Sequence, residues 1–246
     1  MEMTRCTPAR VVREAQKMQT KILTIRLPLP LHMGSVNCYL IETGSSYVLI
    51  DTGGSNARRE LVRQLQESGC TPGRLDLVIL THGDFDHSAN AAHLRAQFGA
   101  KIAMHAGDSA MVESGNIFAG RKRPNIIMRK LAPVFFGLAK KDRFLPDVLL
   151  EDGENLAAYG FNAKVHAIPG HSKGSIGILT SSGEFFCGDL LENSSKPAVN
   201  GLIDDLAEAE ASVTKLEEMD IRVVLPGHGR PFELGEVFKD GVQSAG

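Results

Sequence analysis

Residues 80–90, LTHGDFDHSAN, place two histidines and two aspartates within six positions, directly after the apolar run LDLVIL. The run has the composition of a buried strand. His82 and Asp84 are two residues apart in the turn that leaves the strand, so they can project to one side, while Asp86 and His87 stand where a helix begins. A single aspartate there is commonly a helix N-cap, and a single histidine is commonly structural. Four such residues in one turn instead predict a metal site.

Three later loops repeat this arrangement, each with a strand end followed by glycine and a metal-ligand residue. They are IPGHSKGS with His171, FFCGDLL with Asp189 and LPGHGRP with His228. With the four residues of the first loop they make seven nitrogen or oxygen donors, which suffice for two metal ions.

Strands and helices alternate along the chain in two halves. In the first half, apolar runs predict strands at KILTIRL, VNCYLIE, SYVLID, LDLVIL and KIAMH, with helices at NARRELVRQLQESGC and SANAAHLRAQFG. In the second half, AKVHAIP, SIGILT, EFFCGD and IRVVLPG are predicted strands, and DDLAEAEASVTKLEEMD is a predicted helix with Leu206, Val213 and Leu216 facing inward. Two halves, each a sheet followed by helices, predict an α/β fold, a four-layer αββα sandwich with its polar loops along one edge.

The motifs resemble those of the metallo-β-lactamase superfamily of metal-dependent hydrolases. Its members share, in order, an Asp after a strand, an HxHxDH segment, a lone His, a lone Asp and a final His. The corresponding residues here are Asp51 in LIDTGG, HGDFDH at 82–87, His171, Asp189 and His228. The resemblance extends from about position 18 to about position 231, and it implies the four-layer fold of the metallo-β-lactamase type.

The resemblance also implies how the donors divide between two ions. His82, Asp84 and His171 would hold the first ion, Asp86, His87 and His228 the second, and Asp189 would bridge them. Asp51 would orient ligands from behind. An aspartate in DTGG is also a common turn former, so the interpretation of Asp51 from sequence stays open.

Asp84 stands where the family usually has histidine. A carboxylate there lowers the net charge of the site by one. The two metal ions should therefore be weaker Lewis acids than two ions bound by a more histidine-rich ligand set. Oxygen donors also move the metal preference from zinc toward iron or manganese. We therefore predict two divalent ions, zinc first, with iron or manganese as alternatives. The competing interpretation is that Asp84 prevents metal binding at the first position, which leaves one ion at the second.

Such a centre implies a hydrolase. A hydroxide held by the two ions would attack an ester, lactone, thioester or similar bond, and Asp86 would take part in proton transfer. The main alternative is a diiron redox protein with a separate electron-transfer partner, because flavodiiron proteins of the same fold carry Glu at the position of Asp84. A metal-containing binding protein without turnover is a third interpretation.

The composition of the 246 residues narrows the range of partners. The net charge is −2, so a small-molecule substrate is expected and nucleic acid is not. No apolar run approaches the roughly 18 residues of a membrane span, and residues 1–20 contain charges without an apolar segment. We predict a cytoplasmic protein with a mobile appendage at 1–20 and one domain at 21–246; a homodimer stays open. The four widely spaced cysteines favour buried free thiols.

An insertion at about 107–150 separates the two halves. Between positions 121 and 143 it holds eight basic residues and one acidic residue, interleaved with apolar side chains. This composition favours a lid or wall over the metal cleft that binds an anionic amphiphile, with a membrane-surface contact or a plain solvated segment as alternatives. The candidate substrate-binding residues are His32, Arg121, Arg123 and Phe135.

Overall fold

The computed structural model describes residues 21–44, 46–119, 121 and 137–238. A six-stranded sheet in the order β1 to β6 forms the first half. Its strands are β1 (Lys21–Pro28), β2 (Ser35–Glu42), β3 (Tyr47–Ile50), β4 (Leu75–Ile79), β5 (Lys101–Met104) and β6 (Val148–Leu149). The first three strands pair antiparallel, and β3 to β6 pair parallel.

The second half contributes a four-stranded sheet and a short two-stranded ribbon. The strands are β7 (Ala163–Ala167), β8 (Ile176–Thr180), β9 (Glu184–Gly188), β10 (Leu191–Glu192), β11 (Ala198–Val199) and β12 (Val223–Pro226). The larger sheet has the order β12-β9-β8-β7, and β10 pairs with β11. Strand β12 runs parallel to β9, whereas the other neighbours are antiparallel.

Five α-helices accompany the two sheets in the part of the chain that is described. They are α1 (Arg58–Glu67), α2 (Phe85–Ser88), α3 (Ala91–Phe98), α4 (Ser109–Ser114) and α5 (Leu206–Glu217). Helix α3 ends at Gly99, whose left-handed backbone (φ 77°) closes the last turn. Asp205 is the N-cap of helix α5, and its carboxylate accepts hydrogen bonds from the backbone N–H groups of residues 207 and 208.

Three separate apolar cores make four layers. The first core joins one face of the six-stranded sheet to α1 and α3, the second lies between the two sheets, and the third joins the four-stranded sheet to α5. Strand β2 shows why: Cys38 and Leu40 face the helices, whereas Tyr39 and Ile41 face the other sheet. Successive side chains of a strand point to opposite faces, so a strand buried on both sides reads as a continuous apolar run. The predicted αββα sandwich is confirmed.

The loops that carry polar motifs gather at one edge of this sandwich. Strands β3, β4 and β5 are parallel, as are β9 and β12, so the loops after them leave each sheet in a common direction. The two sheets are also joined there. The Tyr39 hydroxyl donates to the Pro226 carbonyl (2.7 Å), and the backbone N–H of Ile176 donates to the Thr81 carbonyl (2.9 Å).

One prediction about the helices is wrong. Val213 and Leu216 of α5 are buried, but Leu206 is 50 % exposed. Leu206 is the first residue of the helix, where the chain has just emerged from a loop, and the inward stripe begins one turn later at Ala209.

Three of the four cysteines fall within the described residues. Cys38, Cys70 and Cys187 are buried free thiols, as expected. Among the described residues no helix has the length and apolar character needed to cross a bilayer. The appendage at 1–20 lies outside the described residues. The single domain at 21–246, the insertion bounds, the cytoplasmic location and the homodimer stay predictions.

Candidate metal centre

His82, Asp84 and His171 form the first of three groups of metal-ligand side chains at the loop edge. Their ligand atoms all lie within 4.8 Å of one another. Asp84 Oδ2 is 3.0 Å from His171 Nε2 and 3.5 Å from His82 Nε2. The loop after β4 therefore meets the loop between β7 and β8, although Asp84 and His171 are 87 positions apart in sequence.

Asp86, His87 and His228 form the second group, with the same 4.8 Å limit. Asp86 Oδ2 lies 3.4 Å from His228 Nε2 and 3.9 Å from His87 Nε2. Helix α2 presents Asp86 and His87, and the loop after β12 supplies His228.

Asp189 lies between these two groups. One carboxylate oxygen is 3.3 Å from His87 Nε2 and the other is 3.2 Å from His228 Nε2. Asp189 also forms a third possible ligand group with His82 and His87, which belong to different predicted positions. Its placement suits a ligand shared by two ions.

The four imidazoles are each held from behind through Nδ1. The partners are Thr81 Oγ1 for His82 (3.0 Å), Asp51 Oδ2 for His87 (2.9 Å), the Leu202 carbonyl for His171 (2.5 Å) and the Ser35 carbonyl for His228 (2.9 Å). Each Nδ1–H donates to its partner, which leaves the Nε2 lone pair free for a metal. All four Nε2 atoms face the centre.

Asp51 serves ligands of both groups. It accepts from His87 directly, and its Oδ2 also accepts from the Thr81 hydroxyl (2.8 Å), which itself accepts from His82. The Thr81 backbone N–H donates to the other oxygen of Asp51 (2.9 Å). Asp51 has a left-handed backbone (φ 58°), which an aspartate adopts more readily than most residues. Sequence left the role of Asp51 open, and the geometry favours an orienting group.

Gly227 permits the close approach of the last loop. A Cβ at this position would lie 2.7 Å from Cε1 of His87 and would also meet a carboxylate oxygen of Asp189. Any side chain here would displace two candidate ligands, which explains the glycine before His228 in LPGHGRP.

The residues fit a metal centre on two further observations. Within the described structure, the buried atoms His82 Nε2 and Asp189 Oδ1 have no hydrogen-bond partner. Buried polar atoms are nearly always satisfied, so these two call for an additional partner at the point where the ligand atoms converge. The donor set of imidazole and carboxylate suits zinc, iron or manganese.

Charge pairing in the centre shifts several pKa values. Burial alone would raise the pKa of Asp84, but the hydrogen bond with His171, the nearby His82 imidazole and the charge of Arg121 hold it well below its usual range. Burial alone would lower the pKa of His228, yet the Asp189 carboxylate raises it to about 10. In the metal-free centre Asp84 is thus ionised and His228 is protonated, so metal binding would release a proton.

Arg121 reaches the centre from the insertion. Its guanidinium is 2.9 Å from Asp84 Oδ1 and 2.9 Å from Asp204 Oδ2, and its side chain is only 11 % exposed. Arg121 was predicted to contact substrate, and that role stays a prediction. The structure adds a contact the sequence did not reveal, an ion pair with a candidate ligand.

The other predicted substrate-binding residues are less informative. His32 is exposed in the turn Pro30–His32, near Ser35, whose carbonyl holds His228. Its role stays a prediction. Arg123 and Phe135 lie within residues 122–136, which are outside the described residues.

Sequence reasoning missed the groups behind the ligands. Besides Thr81 and the two backbone carbonyls, these include Asp108, which bonds to loops of the first group. Residues 170–174, GHSKG, also match the GxSxG spacing of serine hydrolases. Ser172 is buried, and its hydroxyl donates to Asp108 (2.6 Å), so it is not presented as a nucleophile.

The fold and the site together define a metallo-hydrolase type of αββα protein. A sequence model described as the metallo-beta-lactamase superfamily matches residues 33–228. The chain belongs to that superfamily, most of whose members are hydrolases.

Individual proteins of known name resemble the chain along most of its length. Hydroxyacylglutathione hydrolase GloC of Haemophilus influenzae is 29 % identical over 214 residues, covering 85 % of this chain and 92 % of that protein. The crystal structure of TTHA1623 in a di-iron-bound form is 28 % identical with a TM-score of 0.65, covering 87 % and 98 % of the two chains. A metallo-beta-lactamase family protein of Thermus thermophilus, TTHA1429, shares the fold at a TM-score of 0.68 and 23 % identity, covering 86 % and 74 %.

Proposed function

We propose that the protein is a metal-dependent hydrolase with a dinuclear centre that cleaves an ester, lactone or thioester bond, with a thioester as the first candidate. The observation that carries the proposal is the convergence of seven donor side chains, four of them imidazoles with Nε2 directed inward. The similarity to a hydroxyacylglutathione hydrolase supports the thioester, because hydroxyacylglutathione is an anionic thioester.

We assign the seven donor side chains to two ions according to the two groups. His82, Asp84 and His171 would hold one ion, and Asp86, His87 and His228 the other, with Asp189 shared between them. When bound, the ions supply Lewis acidity and lower the pKa of a coordinated water. The hydrogen bonds from Nδ1 fix each imidazole, so the ligand set is organised before the ions arrive.

Asp86 is the proposed proton-transfer residue. Its carboxylate belongs to the second group, but at 13 % exposed it is more open than His87, which is fully buried. A carboxylate that borders both the ligand cluster and the cleft can accept a proton from an attacking water and return it to the leaving group.

Two divalent ions are the proposed cofactor, with zinc as the first choice and iron and manganese as the alternatives. The di-iron-bound form of a protein 28 % identical to this chain shows that iron occurs within the same fold. Zinc remains the first choice because four imidazoles dominate the donor set.

A substrate panel tests the reaction class. The metal-loaded protein is expected to hydrolyse a hydroxyacyl thioester of glutathione with a kcat/KM roughly tenfold or more above that for a lactone or a phosphodiester, since an active site that fits one substrate class commonly discriminates against others by at least that factor. Release of free thiol measures the first reaction. Asp189→Ala serves as the inactive control; a phosphodiester preferred over both carbonyl substrates would contradict the proposal.

The basic insertion gives a separate prediction about substrate charge. Replacing Lys122 and Arg123 with glutamine is expected to raise KM for the anionic thioester about threefold at low salt and to flatten its salt dependence, because basic side chains attract an anionic substrate over a range that salt screens. Arg121 stays unchanged in this variant. A neutral thioester is the control substrate, and equal losses for both substrates would contradict an electrostatic role.

The diiron redox alternative retains one specific support, the carboxylate at position 84 together with the iron-bearing relative. It predicts oxygen consumption by the iron-loaded protein when a reducing partner is supplied. A hydrolase predicts thioester cleavage without any electron donor, so the same preparation distinguishes the two.

A further inference from the structure

Asp108 lies behind the first ligand group and is not one of the predicted metal ligands. It follows β5 and occupies the N-cap position of α4, yet its side chain makes no capping hydrogen bond to that helix. The residue is 1 % exposed. An aspartate before a helix usually caps it, so a buried carboxylate turned elsewhere requires another explanation.

The Asp108 carboxylate instead accepts three hydrogen bonds from two other loops. Oδ2 accepts from the Gly83 backbone N–H (2.9 Å) and from the Ser172 hydroxyl (2.6 Å), and Oδ1 accepts from the Gly174 backbone N–H (2.8 Å). Ser172 is held in turn by Ser175, whose hydroxyl lies 2.8 Å from that of Ser172 and accepts from the Ser172 backbone N–H (3.1 Å). Both carboxylate oxygens are therefore satisfied entirely by the two loops.

These contacts adjoin the ligands of one group only. Gly83 lies between His82 and Asp84, and Ser172 directly follows His171. The rings of His82 and His171 have centroids 4.6 Å apart, although they come from different halves of the chain. Asp108 bonds to the residue after each of these histidines, so it sets their relative placement.

The packing around Asp108 leaves little freedom. A Cβ at Gly174 would lie 2.5 Å from the Asp108 backbone nitrogen and 2.7 Å from its Cγ, so only glycine allows this loop to approach. In contrast, the second group is held by Asp51 and the Ser35 carbonyl, neither of which contacts Asp108 through a described hydrogen bond.

We propose that Asp108 is a positioning residue for the first metal position, clamping the loops of His82, Asp84 and His171 so that their donors converge. The proposal rests on the dinuclear centre proposed above. It predicts that loss of Asp108 weakens metal binding at the first position and spares the second. Removing a group that supports ligands from behind typically weakens metal affinity about 10- to 100-fold.

Two backgrounds isolate the two positions. His228→Ala leaves the first position intact, and His82→Ala leaves the second. Asp108→Ala is placed in each background, and Zn²⁺ affinity is measured by competition with a chromophoric chelator. We expect affinity to fall about 10- to 100-fold in the His228→Ala background and less than about threefold in the His82→Ala background. Asp76→Ala, which removes an exposed carboxylate from β4, is the matched control.

Folding cost is separated from positioning by a second variant and a second readout. Melting of the metal-free proteins reports the cost of leaving three buried donors unpaired. Ser172→Ala removes only one of the three donors and should weaken Zn²⁺ binding in the same background by a smaller factor, even if Asp108→Ala does not fold.

The outcomes separate this proposal from the proposed function. Equal losses in both backgrounds would show that Asp108 supports the fold as a whole and would overturn the positioning role. Unchanged affinity in the His228→Ala background would overturn it as well. Failure of His228→Ala itself to bind Zn²⁺ would remove the first metal position, and with it the dinuclear function.

Discussion

Asp189→Ala is expected to abolish hydrolysis, with kcat/KM for the thioester lower by about 1,000-fold or more, because metal-ion catalysis contributes several kcal/mol to such reactions. The carboxylate contacts an imidazole of the second group with each oxygen and groups with His82 as well. Its loss removes negative charge from between the two metal positions. We expect bound metal to fall from two ions per chain to one or none, as measured by elemental analysis.

A readout in the metal-free protein accompanies this result. The Asp189 charge raises the pKa of His228 to about 10, so Asp189→Ala should lower that pKa toward the ordinary value for histidine. NMR titration of the imidazole measures the change. Glu192→Ala, a carboxylate three residues further on, should alter neither metal content nor activity. Two retained ions and near-normal turnover in Asp189→Ala would show that no ligand is shared at this position.

The outline of the fold and the candidate ligands that cluster at its edge were predictable because their strands and motifs are short-range patterns. Continuous apolar runs marked strands covered on both faces, and each ligand motif followed such a run. The motifs follow one another in the order of the superfamily that they resemble, and that resemblance implied how HGDFDH, His171, Asp189 and His228 are grouped before any distance was known.

The groups that hold the ligands were not predictable in the same way. Asp108 and Ser172 are 64 positions apart, and Arg121 and Asp84 are 37 apart, so no local periodicity links them. One signal was available for Asp108, since it follows the parallel strand β5 and must emerge at the same edge as the motifs after β3 and β4. The predicted burial of Leu206 was wrong for a different reason. Helical periodicity indicates which side chains share a face, but it does not show at which residue that face begins to pack against the core.

Arg121 changes the charge argument made from sequence. Counting ligands alone, Asp84 lowers the charge of the centre by one relative to histidine. The structure pairs Asp84 with the Arg121 guanidinium, which returns that charge at Oδ1 while Oδ2 remains directed at His82 and His171. The two side chains are 15 % and 11 % exposed, so their interaction is poorly screened by solvent. Aspartate with arginine is thus the electrostatic counterpart of a single neutral histidine.

This pairing predicts that position 84 and position 121 cannot be changed independently. Arg121→Met alone should lower the free energy of unfolding of the metal-free protein by about 3 kcal/mol, because it strands a buried carboxylate. Asp84→His alone should also be unfavourable, since it faces the guanidinium with an imidazole. Combined, the two substitutions should cost less than the sum of the single changes by about 2 kcal/mol, a coupling expected of residues in direct contact.

Metal preference provides the second half of the same prediction. The Asp84→His and Arg121→Met protein keeps the overall charge and gains a nitrogen donor, so it should select zinc over iron and manganese more strongly than the parent, as nitrogen donors favour zinc over harder ions. Asp84→His alone should bind any ion at the first position more weakly, because the guanidinium, then paired only with Asp204, repels it.

Urea unfolding of the four metal-free proteins and competition among the three metals measure both halves. Arg95→Met is the matched control, because Arg95 pairs with Asp147 at the surface with both side chains 35 % exposed, and its loss should cost less than about 1 kcal/mol. Additive single changes would show that Arg121 and Asp84 do not interact in solution. Unchanged metal selectivity in the combined variant would mean that the carboxylate at position 84 does not set the choice of ion.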